Sequence, residues 1–434
     1  MSEPLDGITV VEMTIAVQGP AAGGYLRDMG AQVIKVEPPI GDASRHGRGR
    51  ENTTPLGTIG PQFVACNRGK RSVCVDLSTE LGMKAVHKLL ETADVFLTNY
   101  RPAALTKMGL DYATLHTQYP TLIYASVNGF GPKGPDRDRA MLDGAAVARG
   151  GLVAMTGSPE DPPNVPGAIV ADTAGAMQLA LGTMTALFAR ERNGGQGQLV
   201  QTSGLGAQLW LQQWELAHVS MTGAQLRRDS NHHPIIRGPY GVYRTKDGGA
   251  ILLAQTMEQD DWDAFCIFAD IPEMAFDPRL QTAGQRLGEG LTDADSDEFR
   301  AKLTHAFAQK TAHEWDDFLR TQPEIIWERV REWPEVLEDE QNLANEYLTE
   351  VEVPGVGATR IVGNLVALSE TPGSVKGGPP DLGEGNAQLL AEVGISAAEI
   401  EEITSRANAV REQAFALLAA ALGQEGANAL DREA

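Results

Sequence analysis

The stretch that decides the fold is "ITVVEMTIAVQGPAAGGYLRDMGAQVIKVE", residues 8–37. A run rich in β-branched residues leads into small residues and glycines, then into apolar residues three and four positions apart, and then into a second β-branched run. This order predicts a strand, a helix that crosses over the sheet, and a second strand parallel to the first. It is typical of the opening unit of an α/β sheet.

The same alternation continues to about residue 202. Further strand-like runs separated by helix-like segments are "SVCVDL", "DVFLTN", "LIYASV" and "QLVQTS". We therefore predict an α/β fold with a doubly wound, mostly parallel, Rossmann-like sheet and helices on both faces. Ligands of such sheets bind at loops that leave the carboxyl ends of strands, so the loops after residues 12, 36, 98, 127 and 171 are the ones to inspect.

The glycines of the opening unit do not form a dinucleotide-binding motif. They fall at positions 19, 23 and 24, so the GxGxxG spacing that brings the backbone against a pyrophosphate is missing. The sequence does not predict NAD binding.

The pattern changes after residue 205. We predict a large α/β domain at 1–205, a smaller α+β domain at 233–333 and linkers at 206–232 and 334–380. Two strands of the small domain should join at a turn over residues 246–249. The segment 381–434 should be helical and return to the large domain, with Ser396 and Glu399 as a capping box and Gly423 as the helix end. Whether this helix docks on its own domain or on another subunit stays open.

Composition excludes several classes of partner. Asp and Glu number 58 against 36 Lys and Arg, and a net charge of -22 repels nucleic acid and anionic membrane surfaces. The three cysteines form no CxxC pair and the eight histidines show no metal-ligand spacing, so we expect a cytoplasmic protein without a disulfide framework or a metal site. The sequence has no 18-residue apolar run, so we expect no membrane association.

A single carboxylate interrupts the stretch "PGAIVADTAGAMQLALG", residues 166–182. A strand-like apolar run is followed by Asp172 and then by a helical pattern. Asp is a preferred helix N-cap, and the pattern alone favours that role. A carboxylate at a helix start over a ligand crevice is also a candidate oxygen nucleophile, so both interpretations stay open.

Six segments in this order resemble the class III coenzyme A transferases, a family that includes formyl-CoA and carnitine CoA-transferases and, as a side branch, 2-methylacyl-CoA racemase. The resemblance covers almost the whole chain. The segments are "VQGPAAGGYLRDMGAQVIKVEPPIGD", "NRGKRSVCVDL", "DVFLTNYRPAALTKMGLDYATL", "YASVNGFGPKGPDRDR", "PGAIVADTAGAMQLALG" and "GQGQLVQTS".

The resemblance implies a CoA-transferase that moves CoA from an acyl-CoA donor to a carboxylic acid acceptor. Asp172 would be the catalytic residue and would form an aspartyl anhydride and then an aspartyl-CoA thioester, with CoA thioesters as substrates and no tightly bound cofactor or metal. It also implies an interlocked dimer, either a homodimer or a heteromer with a related subunit. The residues that it places around CoA are Val17, Gln18, Lys70, Arg71, Asn99, Tyr100, Arg101, Lys107 and Asp143.

Two departures from the family pattern bear on the substrate. "IIRGPYGVYR" replaces the run of glycines that closes over the site in formyl-CoA transferases, so formyl and oxalate are not the expected substrates. Leu142 stands where the racemase branch has a His as its second acid/base group. A racemase and a non-catalytic CoA-binding subunit are the alternative functions.

Overall fold

The computed structural model describes residues 2–47 and 59–430. The long Gly-rich connection after the second strand therefore lies partly outside the described residues. The chain divides into two compact units: the first falls within Met1–Val147, Ala168–Leu211 and Leu337–Ala434, and the second within Ala148–Gly167 and Gln212–Val336.

The strands within residues 2–47 and 59–430 fall into three sheets. In chain order they are β1 (Thr9–Met13), β2 (Gln32–Glu37), β3 (Arg71–Cys74), β4 (Val95–Thr98), β5 (Ile123–Asn128), β6 (Leu199–Ser203), β7 (Gly241–Arg244), β8 (Ala250–Thr256), β9 (Ile325–Arg329), β10 (Leu348–Val353) and β11 (Gly357–Val362).

The helices alternate with the strands of the first sheet and then dominate the second unit. They are α1 (Gln18–Asp28), α2 (Pro61–Asn67), α3 (Glu80–Leu90), α4 (Pro102–Met108), α5 (Tyr112–Gln118), α6 (Asp143–Arg149), α7 (Leu152–Met155), α8 (Ala171–Arg192), α9 (Gly204–Leu211), α10 (Gln213–Thr222), α11 (Gln259–Phe268), α12 (Ala283–Arg286), α13 (Asp293–Phe307), α14 (Ala312–Leu319), α15 (Trp333–Leu337), α16 (Glu340–Ala344), α17 (Asn386–Glu392) and α18 (Ala397–Leu430). Short 3₁₀ turns occupy Ala43–His46 and Pro272–Phe276.

The first unit contains a six-stranded sheet in the order β3-β2-β1-β4-β5-β6, and every neighbouring pair is parallel. Alternate residues of one strand enter two different cores, because successive side chains of a strand point to opposite faces. Val10 packs in the core with α1 and α8, whereas Val11 and Met13 pack in the core with α3 and α17. The predicted α/β fold with a doubly wound parallel sheet is confirmed.

The order of the strands places a crevice at the carboxyl ends of β1 and β4, where the chain leaves two neighbouring strands in opposite directions. Asn99, directly after β4, bridges the two loops. Its side chain accepts a hydrogen bond from the Ile15 N–H at 2.9 Å and donates one to the Ile15 carbonyl at 2.8 Å. The mouth of the crevice is thereby fixed on both sides.

The second unit is built on the antiparallel sheet β7-β8-β9. The predicted turn over residues 246–249 does join β7 to β8. Against this sheet packs a buried aromatic core that includes Tyr243, Trp262, Phe307 and Trp315.

The segment predicted to be helical at 381–434 contains α17 and α18 up to Leu430, and residues 431–434 lie outside the described residues. The Ser396 hydroxyl and the Glu399 carboxylate form the expected reciprocal cap at the start of α18. Ile400 and Ile403 are buried in the core of the first unit, so the first turns dock on their own unit. The predicted end at Gly423 is wrong, since the helix continues to Leu430; one glycine inside a helix weakens it only modestly. The segments predicted as linkers carry regular structure, including α10 and the β10–β11 hairpin.

Candidate active site

A cavity of about 420 Å³ opens at the crevice between β1 and β4. The loops after β1, β4 and β5 form its walls, together with the first turn of α8. Five of the predicted site residues lie in these walls near Asp172. These are Val17, Gln18, Asn99, Tyr100 and Arg101.

The turn from β1 into α1 forms one wall of the cavity. Gln18 is the first residue of α1 and is only 5% exposed, and its Nε2 has no hydrogen-bond partner among the described residues. The amide packs against Gly175, one turn beyond Asp172 on α8: a methyl group on Gly175 would lie 2.3 Å from Gln18 Nε2. Gln18 thus brings a free buried N–H donor beside the first turn of α8.

Asp172 is the second residue of α8, not its N-cap. Val170 occupies the N-cap position, and the run before it is a loop rather than the predicted strand. The side chain of Asp143 supplies the missing cap, because its Oδ1 accepts a hydrogen bond from the Asp172 N–H at 3.0 Å. Asp143 therefore fixes the start of the helix and places a second carboxylate close to the first.

The environment of Asp172 raises its pKa. Burial, and then the neighbouring Asp143 carboxylate, raise the pKa of Asp172 to about 6. About nine-tenths of Asp172 is still ionised at neutral pH. The side chain is thus a carboxylate with reduced hydration, which is a more reactive oxygen nucleophile than one in bulk water.

Four residues predicted to contact CoA do not line this cavity: Asp143, which instead caps α8 beside Asp172, and the basic residues Lys70, Arg71 and Lys107. Lys70 is fully buried, and its ammonium donates to Glu12, the Pro20 carbonyl and Asn67 at 2.7, 2.7 and 2.9 Å. All three of its protons are used, and burial lowers its pKa to about 8. Its side chain has none left for a phosphate, so the prediction that it binds the nucleotide does not fit this placement.

Arg71 and Lys107 also lie outside the wall of this cavity. Arg71 pairs with Glu384 at 2.7 Å, and Lys107 is exposed in the last turn of α4. Neither side chain lines this cavity, and their contacts with CoA stay predictions.

The structure adds cavity residues that the sequence did not single out. Arg137, Asp138 and Arg139 follow β5 and line the cavity, with Arg139 stacked over Phe130 at 5.3 Å. Met141 and Leu142 extend this wall toward Asp143. The available signal was the position of two arginines after a strand end in "GPDRDRA".

Within the described ranges, no group of three or more His, Cys, Asp or Glu side chains is arranged to hold a metal ion. None of the helices in those ranges combines the length and apolarity of a bilayer span.

The model of CoA-transferase family III matches residues 5–386 of this sequence. The chain belongs to CoA-transferase family III. It is 31% identical to the cinnamoyl-CoA:phenyllactate CoA-transferase of Clostridium sporogenes, over 92% of this chain and 95% of that protein. It is 32% identical to the succinyl-CoA–D-citramalate CoA-transferase of Chloroflexus aurantiacus, over 90% and 94% of the two chains.

A solved structure shows the same fold. The crystal structure of a CAIB/BAIF family protein from Brucella suis superposes with a TM-score of 0.79 at 28% identity, covering 91% of this chain and all of that one. The predicted family is confirmed, and the chain is a CoA-transferase of this class.

Proposed function

We propose that this family III CoA-transferase moves CoA from an acyl-CoA to a carboxylic acid with Asp172 as its nucleophile. The observation that carries the proposal is a half-buried Asp172, mostly ionised at neutral pH, at a cavity over the carboxyl edge of the sheet. The Gln18 Nε2, which has no hydrogen-bond partner among the described residues, lies beside Gly175, one turn further along the same helix.

In the first half-reaction, CoA moves from the donor acyl group to the carboxyl group of Asp172. An Asp172 oxygen attacks the thioester carbonyl, the C–S bond breaks, and CoA thiolate leaves behind a mixed aspartyl anhydride. The thiolate then attacks the aspartyl carbonyl, which forms the aspartyl-CoA thioester and releases the donor carboxylate.

The second half-reaction runs the same steps in reverse with the acceptor. Its carboxylate attacks the aspartyl-CoA carbonyl and expels the thiolate, and the thiolate then attacks the acceptor carbonyl and frees Asp172. One thioester replaces another, so the reaction needs no ATP.

The side chains of the cavity suit these steps. The Gln18 Nε2 would donate to the oxyanion that develops on the carbonyl under attack. Arg101, Arg137 and Arg139 would bind the phosphates of CoA, because a guanidinium matches phosphate geometry. Exposed Leu142 offers no proton where a racemase needs a second acid/base group, so transfer is the better-supported reaction.

We also propose a dimer, either of identical chains or with a related subunit. Its support in the first unit is an apolar stripe on α8 and α9, where Met177, Leu181, Phe188 and Trp210 are 64, 62, 55 and 62% exposed. An apolar surface of this kind is typical of an interface. A cytoplasmic location is proposed as well, since all three cysteines are free and buried.

The experiment is an exchange assay with succinyl-CoA or cinnamoyl-CoA as donor and a panel of acids that includes phenyllactate and D-citramalate. New acyl-CoA is measured by chromatography. Asp172→Asn should lower its rate by about 10³-fold or more, as expected when a covalent nucleophile is removed. Asp381→Asn, an exposed change of the same type, should keep the wild-type rate.

Full activity in Asp172→Asn would contradict the proposed nucleophile. Deuterium entering the α-carbon of a 2-methylacyl-CoA, without any exchange, would favour the racemase instead. Tight CoA binding without turnover would favour a non-catalytic subunit.

A further inference from the structure

Two buried ammonium groups hold the turn between β1 and α1 at its two ends. Lys35 Nζ donates to the Thr14 carbonyl at 2.9 Å, directly after β1. Lys70 Nζ donates to the Pro20 carbonyl at 2.7 Å, in the first turn of α1. The residues between these two anchors include Gln18.

A single carboxylate joins the two lysines. Glu12 Oε1 lies 3.2 Å from Lys35 Nζ, and Glu12 Oε2 lies 2.7 Å from Lys70 Nζ. All three side chains are fully buried. Ions in such surroundings depend on one another, because removing one partner leaves an unpaired charge in a medium of low dielectric constant.

The turn itself is also bonded to this network. The Thr14 hydroxyl donates to Glu12 Oε1 at 2.7 Å. Asp42 pairs with Lys35 at 3.1 Å and accepts a longer hydrogen bond, 3.4 Å, from the Ala16 N–H. Backbone and side-chain atoms on both sides of Ala16 are therefore fixed by buried charges.

The backbone between the anchors needs such support. Ala16 has a φ of +65°, in the left-handed region that residues with a Cβ rarely adopt. Residues in this region persist when surrounding contacts over-determine the conformation. The network is also pressed against α1, since a methyl group on Gly23 would lie 1.8 Å from Glu12 Oε2.

We propose that Lys35 and Lys70, joined by Glu12, are positioning residues that hold this turn so that the Gln18 amide faces the reacting carbonyl beside Asp172. Neither lysine lines the cavity, so both act through the turn. The kinetic part of the inference rests on the proposed function, whereas the conformational part does not.

The conformational part is tested by hydrogen exchange on the whole protein. In Lys35→Met, amides of residues 14–19 should exchange at least about 10-fold faster, while amides of β4 and β5 keep their protection. Thr14→Val, which removes only the hydroxyl bond to Glu12, should give a smaller increase in the same segment and serves if Lys35→Met does not fold. Unchanged exchange over residues 14–19 in a folded variant would overturn the proposal.

The kinetic part is tested by a double-mutant cycle with Gln18→Ala. Each single variant should lower kcat by about 10-fold or more, with the KM for acyl-CoA within about 3-fold of wild type. If Lys35 acts through Gln18, adding Lys35→Met to the Gln18→Ala variant should lower kcat by less than about a further 3-fold. If the kcat losses of the two single variants multiply in the double variant, the network is merely structural and the proposal is overturned. A rise in KM alone, with kcat unchanged, would overturn it as well.

The two proposals fail in different ways. A wild-type enzyme without exchange activity would count against the proposed function, and hydrogen exchange would still decide the role of the lysines. If the wild type is active and the kcat losses of the variants multiply, only the proposed role of the lysines would be contradicted.

Discussion

Replacing Asp143 by Asn changes the charge beside Asp172 and little else. The amide keeps an oxygen that can accept the 3.0 Å hydrogen bond from the Asp172 N–H, so the cap of α8 remains. The negative charge that helps to raise the pKa of Asp172 is lost. The pKa of Asp172 should therefore fall, and the enzyme should keep more of its activity in acid.

The structure sets the size of this shift. The pKa of Asp172 is raised from 3.8 to about 6, and burial is the larger cause. Asp143 thus accounts for less than half, or at most about one pH unit. At about pH 5 the ionised fraction should rise from roughly a tenth to no more than roughly half, whereas at about pH 8 it should barely change.

The assay is the pH dependence of kcat/KM for the acyl-CoA donor, from roughly pH 5 to 8, because this ratio reports ionisation in the free enzyme. The acid limb of the wild type should have its midpoint near 6, and that of Asp143→Asn should lie lower by up to about one unit. Asp381→Asn is the matched control and should keep the wild-type midpoint. An upward shift in Asp143→Asn, or none, would refute the coupling between the two carboxylates.

Three further changes have definite expected results. Gly175→Ala places a methyl group 2.3 Å from the Gln18 amide, so kcat should fall about 10-fold with little change in melting temperature; a lower melting temperature at unchanged kcat would speak against it. Asn386→Ala removes two hydrogen bonds to the backbone of Cys74, of 2.8 and 3.0 Å, and should lower the free energy of unfolding in urea by about 2 kcal/mol. Trp315→Ala opens a cavity in the second unit and should cost about 3 to 5 kcal/mol by the same measurement; a loss under about 1 kcal/mol would contradict the described packing.

The sheet could be predicted because its signal is local. All six strands of the parallel sheet come from β-branched runs in the sequence, and their alternation with helical patterns allows few topologies. That topology predicted that the loops after residues 12, 98 and 127 lie at one edge of the sheet, and all three line the cavity, whereas the loop after residue 36 does not. Asn99 and Tyr100, which the family resemblance placed around CoA, lie in its wall.

The strand predicted before Asp172 fails because an apolar run does not reveal burial. Ile169 in that run is 48% exposed, and the segment is a loop. The helix start then depends on Asp143, which is 29 residues away in sequence and gives no local signal as a cap.

The placement of Lys70 could not be predicted for a related reason. A basic residue near a ligand site is expected to bind phosphate, and nothing in the sequence near Lys70 shows that Glu12 will be its partner. Only the packed structure brings the side chains of β1, β2 and the segment before β3 to one buried point. The left-handed backbone of Ala16 is likewise imposed by these contacts rather than by its residue type.

The most direct test is the mass of the peptide that carries Asp172 after brief reaction with an acyl-CoA and quenching with hydroxylamine. Attack on the aspartyl anhydride or thioester should convert Asp172 to its hydroxamate, and Asp172→Asn should yield no such product. An unmodified Asp172 peptide from an enzyme that is visibly transferring CoA, or a covalent adduct on any other residue, would contradict the account.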